Sequence, residues 1–315
     1  ARNGDARGRS RASLTTERHR MPAVLCFGET LWDSTPTGRF LGGAPLNVAY
    51  HLQRLGTPAL LVSAVGIDEA GDAALASIAA SGLDTAAVRR HPSAPTGMAV
   101  VALDARGEPT FRILPDVAWD EIVEPPENAA ATLAGFDQTP APSAILYGTL
   151  ALRSESNRRA LAVLLSALPH AWATCDLNLR APYDELSALT PFIARAGLLK
   201  LNEREARRLA ADAPSDSAPR ELAESIHRRY GTAAVCITLG DRGAGLLAGG
   251  EWYAAAAPTV TVRDAIGAGD AFTAAFLAGI VSSHEAPPWR PLLERACALG
   301  AFVASCGGAQ PNYDG

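Results

Sequence analysis

The chain has no stretch approaching the roughly 18 consecutive apolar residues of a membrane-spanning helix, and no signal-type apolar segment. It also lacks an excess of positive charge. With 28 Lys and Arg against 33 Asp and Glu, the formal charge is −5, which argues against a nucleic-acid surface and an anionic-membrane partner. Any anionic ligand must therefore be held by local geometry. Paired cysteines are missing too: Cys26, Cys175, Cys236, Cys297 and Cys306 stand far apart with no C-x-x-C pair. They read as reduced core thiols, so the chain is expected in the cytoplasm. No His-Cys or His-Glu spacing marks a zinc site. Two phosphate-binding signatures are absent as well. There is no G-x-x-x-x-G-K-[ST], and the first apolar run does not end in G-x-G-x-x-G. Gly267 and Gly269 start such a pattern, but Phe272 fills its third glycine position.

What is present is a 315-residue chain, 48% hydrophobic, long enough for one large domain or one domain with a small appendage. Residues 1–20 carry Arg2, Arg7, Arg9, Arg11, Arg18 and Arg20 and almost nothing apolar, so they read as a disordered arm, with a transit peptide as the alternative. Residues 21–315 are expected to form the domain. The apolar run 23–27 predicts a buried strand ending at Gly28-Glu29, with Asp33 at its carboxyl end. Residues 34–43 break the pattern, a helix runs from Pro45 to Gly56, and strand 60–65 with helix 72–80 sets a βαβα rhythm. That rhythm gives way over 96–114 to an antiparallel hairpin turning at Asp104-Ala105-Arg106-Gly107. A β lid from about 34–43 and 94–116 is expected, hinged at Gly42-Gly43; an ordinary edge extension is the alternative.

Further strands over 144–147, 172–175, 198–201 and 235–238 deliver polar groups to one sheet edge, where open α/β sheets bind ligands. A hairpin turning at Gly249-Gly250, a β-like run over 260–262 and a last helix over 288–305 complete the pattern. The expected fold is α/β: a doubly wound, mostly parallel sheet flanked by helices, with a small β-sheet lid.

The stretch 264–270 carries the chemistry. A helix begins near Gly267 and presents Phe272, Ala275, Phe276 and Ile280 at helical period. Its first N–H groups have no intrahelical partner, and Gly267, Ala268 and Gly269 leave room for a phosphate. Asp270, in the first turn, is placed to accept a proton from an attacking hydroxyl. A first-turn acid can instead merely complement the helix dipole. The paired glycines and the second acid, Asp264, favour the chemical reading. Donors for a transferring phosphate beside a carboxylate suit phosphoryl transfer.

Asp264-Ala265-Ile266-Gly267-Ala268-Gly269-Asp270 resembles the D-T-x-G-A-G-D signature of the ribokinase-like (PfkB) carbohydrate kinases, and Gly42-Gly43-Ala44-Pro45-Leu46-Asn47-Val48-Ala49 resembles that family's G-G-x-x-x-N-x-A. The resemblance covers residues 23–313. It is strongest to bacterial fructokinases, through Gly28-Glu29 with Asp33, residues 42–45, Val117-Ala118-Trp119-Asp120 and the stretch 148–154. It implies Asp270 as the base and the amides of 267–270 as an anion hole. It further implies that Asp33, Gly43 and Asn47 bind sugar hydroxyls, with Arg180 steadying the phosphate or the sugar. By the same resemblance, Asn202 and Glu205 match an N-x-x-E motif placing Mg²⁺ through water, and Thr238, Gly240, Gly267, Gly269 and Ala301 line an ATP cleft. Asp264, with carbonyls near Gly307-Gly308, is similar to a monovalent-cation (K⁺) site. Two positions depart from the family: Ala265 replaces the usual Thr, and Cys297 an Asn often found near adenine.

The implied activity is an ATP-dependent sugar kinase, with D-fructose to fructose 6-phosphate as the leading reaction. Alternatives are 2-keto-3-deoxygluconate, ribose or a nucleoside as acceptor, or a non-catalytic sugar or nucleotide sensor. A phosphosugar is disfavoured, because no basic cluster lies near Asp33 or in the lid. The stripe Met98, Val100 and Ala102 raises a homodimer through the lid as a further expectation.

Overall fold

A computed structural model describes residues 24–35, 38–103, 109–136, 141–283 and 287–313. The expected arm at 1–20 and the turn at 104–107 lie outside them. Strand β1 (Val24–Phe27) opens a nine-stranded sheet, and its side chains alternate between the two faces. The chain then leaves that sheet through Gly28 and builds β2 (Leu31–Thr35) and β3 (Gly38–Gly42), part of a separate small sheet. Pro45 sits in the first turn of α1 (Ala44–Arg54), where the missing N–H loses no bond. β4 (Ala59–Gly66) returns beside β1. Helix α2 (Glu69–Ala80) follows, its N-cap Asp68 accepting from Gly71 N–H at 2.7 Å. β5 (Val88–His91) forms one edge of the large sheet, and the hairpin β6 (Gly97–Leu103) and β7 (Pro109–Ile113) completes the small one.

The second half alternates more regularly: β8 (Ala144–Gly148), α3 (Glu155–Ala167), β9 (Trp172–Asp176), α4 (Leu186–Arg195), β10 (Leu198–Asn202), α5 (Glu203–Leu209), α6 (Pro219–Tyr230) and β11 (Ala234–Thr238). An antiparallel hairpin, β12 (Ala244–Ala248) and β13 (Glu251–Ala255), closes the far edge. Two long helices, α7 (Ala268–Ser282) and α8 (Trp289–Ala304), come last.

The large sheet runs β13-β12-β11-β10-β9-β8-β1-β4-β5, parallel from β11 to β5. Successive strands proceed outward in opposite directions from β1 and β8, so the ends of those two strands form the topological switch point. Helices α3 to α6 cover one face. Helices α1, α7 and α8 cover the other, with α7 burying residues on nearly every side between its neighbours. Four cysteines are free and buried, as expected of core thiols, and Cys306 is half-buried. No helix among the described residues is long and apolar enough to cross a membrane.

Four details refine the expectation. Asp33 is not at the end of the first strand but inside β2, facing Phe40 of β3 and Ala99 of β6. The stretch 34–43, which interrupts the βα pattern in sequence, contributes β3 to the small sheet, as the expected lid requires. The run 260–262 is not a strand: β12 and β13 have already closed that edge, and Val262 is 62% exposed. Finally, Met98 aligns with Trp32, whose indole N–H donates to Ala70 O of α2 at 2.9 Å. Met98 thus shares the face of Trp32, and Phe40 of β3, 54% exposed, is a large apolar side chain of the small sheet that reaches solvent.

Candidate active site

Gly267 adopts φ 79° to start α7, and a Cβ there would lie 2.6 Å from Ala309 of the C-terminal segment. No side chain caps the helix, so the N–H groups of Gly269 and Asp270 have no acceptor within it. Asp270, one residue further into the turn than the glycine pair, is half-buried, and its Oδ2 accepts from Asn47 Nδ2 at 2.7 Å. Burial and the nearby Asp176 carboxylate raise its pKa to about 6, opposed by the Asn47 hydrogen bond, Lys200 and Arg180. Such a carboxylate is ionised at neutral pH yet basic enough to take a proton.

Beneath this turn lies an ion pair. Lys200 of β10 is 9% exposed and faces Asp176 of β9 directly in the sheet register, with Nζ 3.0 Å from each carboxylate oxygen. Burial disfavours its ammonium, but Asp176 and Asp270 outweigh burial and hold the lysine pKa above its ordinary value. The Thr273 hydroxyl lies 3.0 Å from Asp176 Oδ2 and 2.9 Å from Gly269 O. A Cβ on Gly269 would come within 3.2 Å of Lys200 Nζ, so the bare glycine lets the helix start settle closely on the ammonium.

On the opposite side, Gly43 turns into α1 at φ 119°, where a Cβ would lie 2.2 Å from Glu29 O. Glu29, 2% exposed, accepts from Ala44 N–H at 3.1 Å through Oε1, while Oε2 is buried without a hydrogen-bond partner among the described residues. Burial raises the Glu29 pKa to about 7. Asp33 is half-buried and also raised by burial, against the pull of Arg180. The exposed Arg180 acts electrostatically on Glu29, Asp33 and Asp270, so the structure gathers these groups around one opening.

Asn202 and Glu205 form a capping box on α5: Asn202 Oδ1 accepts from Glu205 N–H, and Glu205 Oε2 from Asn202 N–H, both at 2.9 Å. Glu205 Oε1 accepts from Leu179 N–H at 2.8 Å, which ties the Arg180 loop to β10. Arg208, one turn further along α5, bonds Asp184 and leaves Glu205 to the backbone. Thr238 ends β11, with its hydroxyl 3.4 Å from Leu201 O, and Gly240 follows in an open turn. Ala301 lies half-buried on α8.

The Asp264 oxygens accept from Ile266 N–H at 2.9 Å and Gly308 N–H at 3.1 Å. Cys297 is buried in the apolar cluster under α8 and is not a cleft wall, and burial pushes its pKa up to about 11. Glu29, Lys200, Thr273 and Gln310 were not singled out from sequence. A lysine inside the apolar run Leu198–Leu201 was the available signal for one of them.

His91, Glu121 and Glu124 approach one another closely enough to hold a metal. However, His91 Nδ1 accepts from Ser93 N–H at 3.2 Å and Ala94 N–H at 2.8 Å, so its proton sits on Nε2, facing Glu121. That tautomer offers a metal no free lone pair. A cavity of about 350 Å³ between the start of α6 and the β12–β13 hairpin, lined by Arg220, Arg242 and Trp252, touches none of the groups around Asp270.

A doubly wound sheet with a β lid, and an acid at a helix start beside free amides, is an architecture of phosphotransferases acting on alcohols. Comparison with known proteins makes this specific: the family model for pfkB family carbohydrate kinases matches residues 13–314. The chain belongs to that family. It is 30% identical over 303 residues to the fructokinase of Klebsiella pneumoniae, with 91% of this chain and 94% of the relative covered. The structure of Xylella fastidiosa fructokinase with bound ATP superposes with TM-score 0.75 at 25% identity, over 91% of this chain and 94% of that one. Aminoimidazole riboside kinase from Salmonella enterica shares the fold at TM-score 0.73 and 22% identity, covering 91% and 95%.

Proposed function

We propose that this carbohydrate kinase transfers the γ-phosphate of ATP to the primary hydroxyl of D-fructose, forming fructose 6-phosphate. The observation that carries the reading is Asp270, poised near pKa 6 between Asn47 and the free amides of α7. The acceptor sugar lies against Asp33, Gly43 and Asn47, and its hydroxyl proton passes to Asp270 as the oxygen attacks phosphorus. The amides of Gly267, Ala268, Gly269 and Asp270 take up the charge on the transferring group, assisted by Arg180. Nucleotide phosphates extend along Gly267 and Gly269 towards Asn202, Thr238, Gly240 and Ala301.

Mg²⁺, when bound with the nucleotide, neutralises phosphate charge. The residues suit a water-bridged ion: Asn202 is exposed at its strand end, whereas both Glu205 oxygens are occupied by backbone N–H groups and act through what they hold in place. Each Asp264 oxygen accepts one backbone N–H and keeps a lone pair free for a monovalent cation, and the mechanism assigns K⁺ no step.

Fructose rather than another sugar is favoured by the 30% identity to a fructokinase over nearly the whole chain. The test is ADP release by the purified protein with ATP, Mg²⁺ and a panel of D-fructose, ribose, 2-keto-3-deoxygluconate and nucleosides. Fructose is expected to stimulate turnover most. Ligands that raise thermal stability while none stimulates turnover would instead indicate a sensor.

A further inference from the structure

The segment after α8 forms no regular element, yet it is fastened at several points. Gly308 N–H donates to Asp264, and Ala309 closes on Gly267. Tyr50 OH donates to Pro311 O at 2.7 Å, and His51 Nδ1 lies 2.8 Å from Tyr313 OH. The Tyr313 ring also packs edge-on against Phe302, with centroids 5.5 Å apart. This strap thus crosses the start of α7 and the inner side of α1. Between its anchors it delivers Gln310, whose Nε2 donates to Asn47 Oδ1 at 2.8 Å.

Asn47 has one accepting and one donating end. With its oxygen satisfied by Gln310, its NH₂ faces Asp270 Oδ2. Rotating the amide by half a turn would set the Asn47 oxygen against the carboxylate and its NH₂ against the Gln310 NH₂. The contact with the carboxylate would be repulsive, so Asp270 selects which end of the Asn47 amide it faces, and Gln310 braces the other end. We propose that Gln310 is a positioning residue of the kinase site, bracing the Asn47 side chain so that its amide stays in place to donate to the base Asp270. The inference rests on the reading of Asp270 as base.

The groups that face Asp270 are Asp176 and Lys200 from neighbouring strands, Arg180 from the loop after β9, Glu29 at the end of β1, and Asn47. Only the Asn47 contact changes sign when an amide turns over. Gln310→Glu keeps the length of the side chain but offers only acceptors, so it draws the Asn47 NH₂ to itself and turns the Asn47 oxygen towards Asp270. The readout is the apparent pKa of Asp270 by carboxyl ¹³C NMR on the full chain, which needs no substrate. A rise of about one unit is expected in Gln310→Glu, to which the added carboxylate charge itself contributes, so Gln310→Leu carries the decision. A smaller rise is expected in Gln310→Leu, which releases the amide without reversing it. The acid limb of kcat/KM for D-fructose should move by the same amounts, while KM for ATP stays put.

Wild-type titration in Gln310→Leu, with Asp270→Asn inactive, overturns the inference and leaves the base assignment standing. Full turnover in Asp270→Asn overturns the base assignment and the inference with it. Should Gln310→Glu fail to fold, Gln310→Leu, which adds no charge, decides between the same outcomes.

Discussion

Asp270→Asn should make the protein more stable at pH 8. If Asp270 only complemented the α7 dipole, its charge would stabilise the fold by about 0.3–1 kcal/mol, and the amide would be the weaker residue. The structure points the other way: burial and Asp176 raise the carboxyl from 3.8 to about 6 in the folded protein. Between those values the folded state binds more protons than the unfolded chain, so stability falls as pH rises from 4 to 6 and then levels off. Two units correspond to roughly 3 kcal/mol, and partial solvation of a half-buried group reduces this to about 1–3 kcal/mol. For a domain of this size that is a rise in Tm of a few degrees. Thermal unfolding of both proteins from pH 4 to 8 measures it. The difference should vanish near pH 4 and be full above pH 6. An Asp270→Asn variant less stable than wild type at pH 8 would refute the reasoning and restore the dipole reading.

Three further outcomes follow from the same geometry. Lys200→Met leaves Asp176 buried and unpaired, so chemical denaturation should register a loss of about 3–5 kcal/mol, with much of it recovered when Asp176→Asn is added. Glu29→Gln removes a carboxyl whose pKa is raised to about 7, so it should match wild type near pH 4.5 and exceed it in Tm above pH 7; equal Tm values at pH 8 would show that Glu29 is not strained. Dimerisation through the lid would bury the exposed Phe40, so sedimentation should give a dimer that Phe40→Asp converts to a monomer, and a monomeric wild type would remove this expectation.

The parallel sheet was legible because strands covered on both faces read as short apolar runs, as in 24–27, 144–148 and 234–238. The strand at 31–35 was hidden, since the chain changes sheets within three residues of Phe27 and no periodicity records that exchange. Val88–His91 was missed because two arginines occupy the middle of a four-residue edge strand. The run at 260–262 has strand composition without a vacant edge to join, a tertiary fact that overrides propensity. In the site, Asp270, the glycine pair and Asn47 could be named from their motifs. Their hydrogen bond joins positions 223 residues apart and only the fold supplies it. The Lys200–Asp176 pair is likewise a consequence of register between β9 and β10. Gln310 carries no local signal, because a glutamine in an irregular segment near the chain end acquires meaning only from what it touches.

The central claim is that Asp270 takes the acceptor's proton. It is tested most directly by fructose-dependent ADP release in wild type and Asp270→Asn at pH 8, where the charge differs while the shape is kept. A fall in kcat of at least about 10²–10⁴-fold, with KM for ATP little changed, is predicted. Wild-type kcat in the folded Asp270→Asn protein would contradict it.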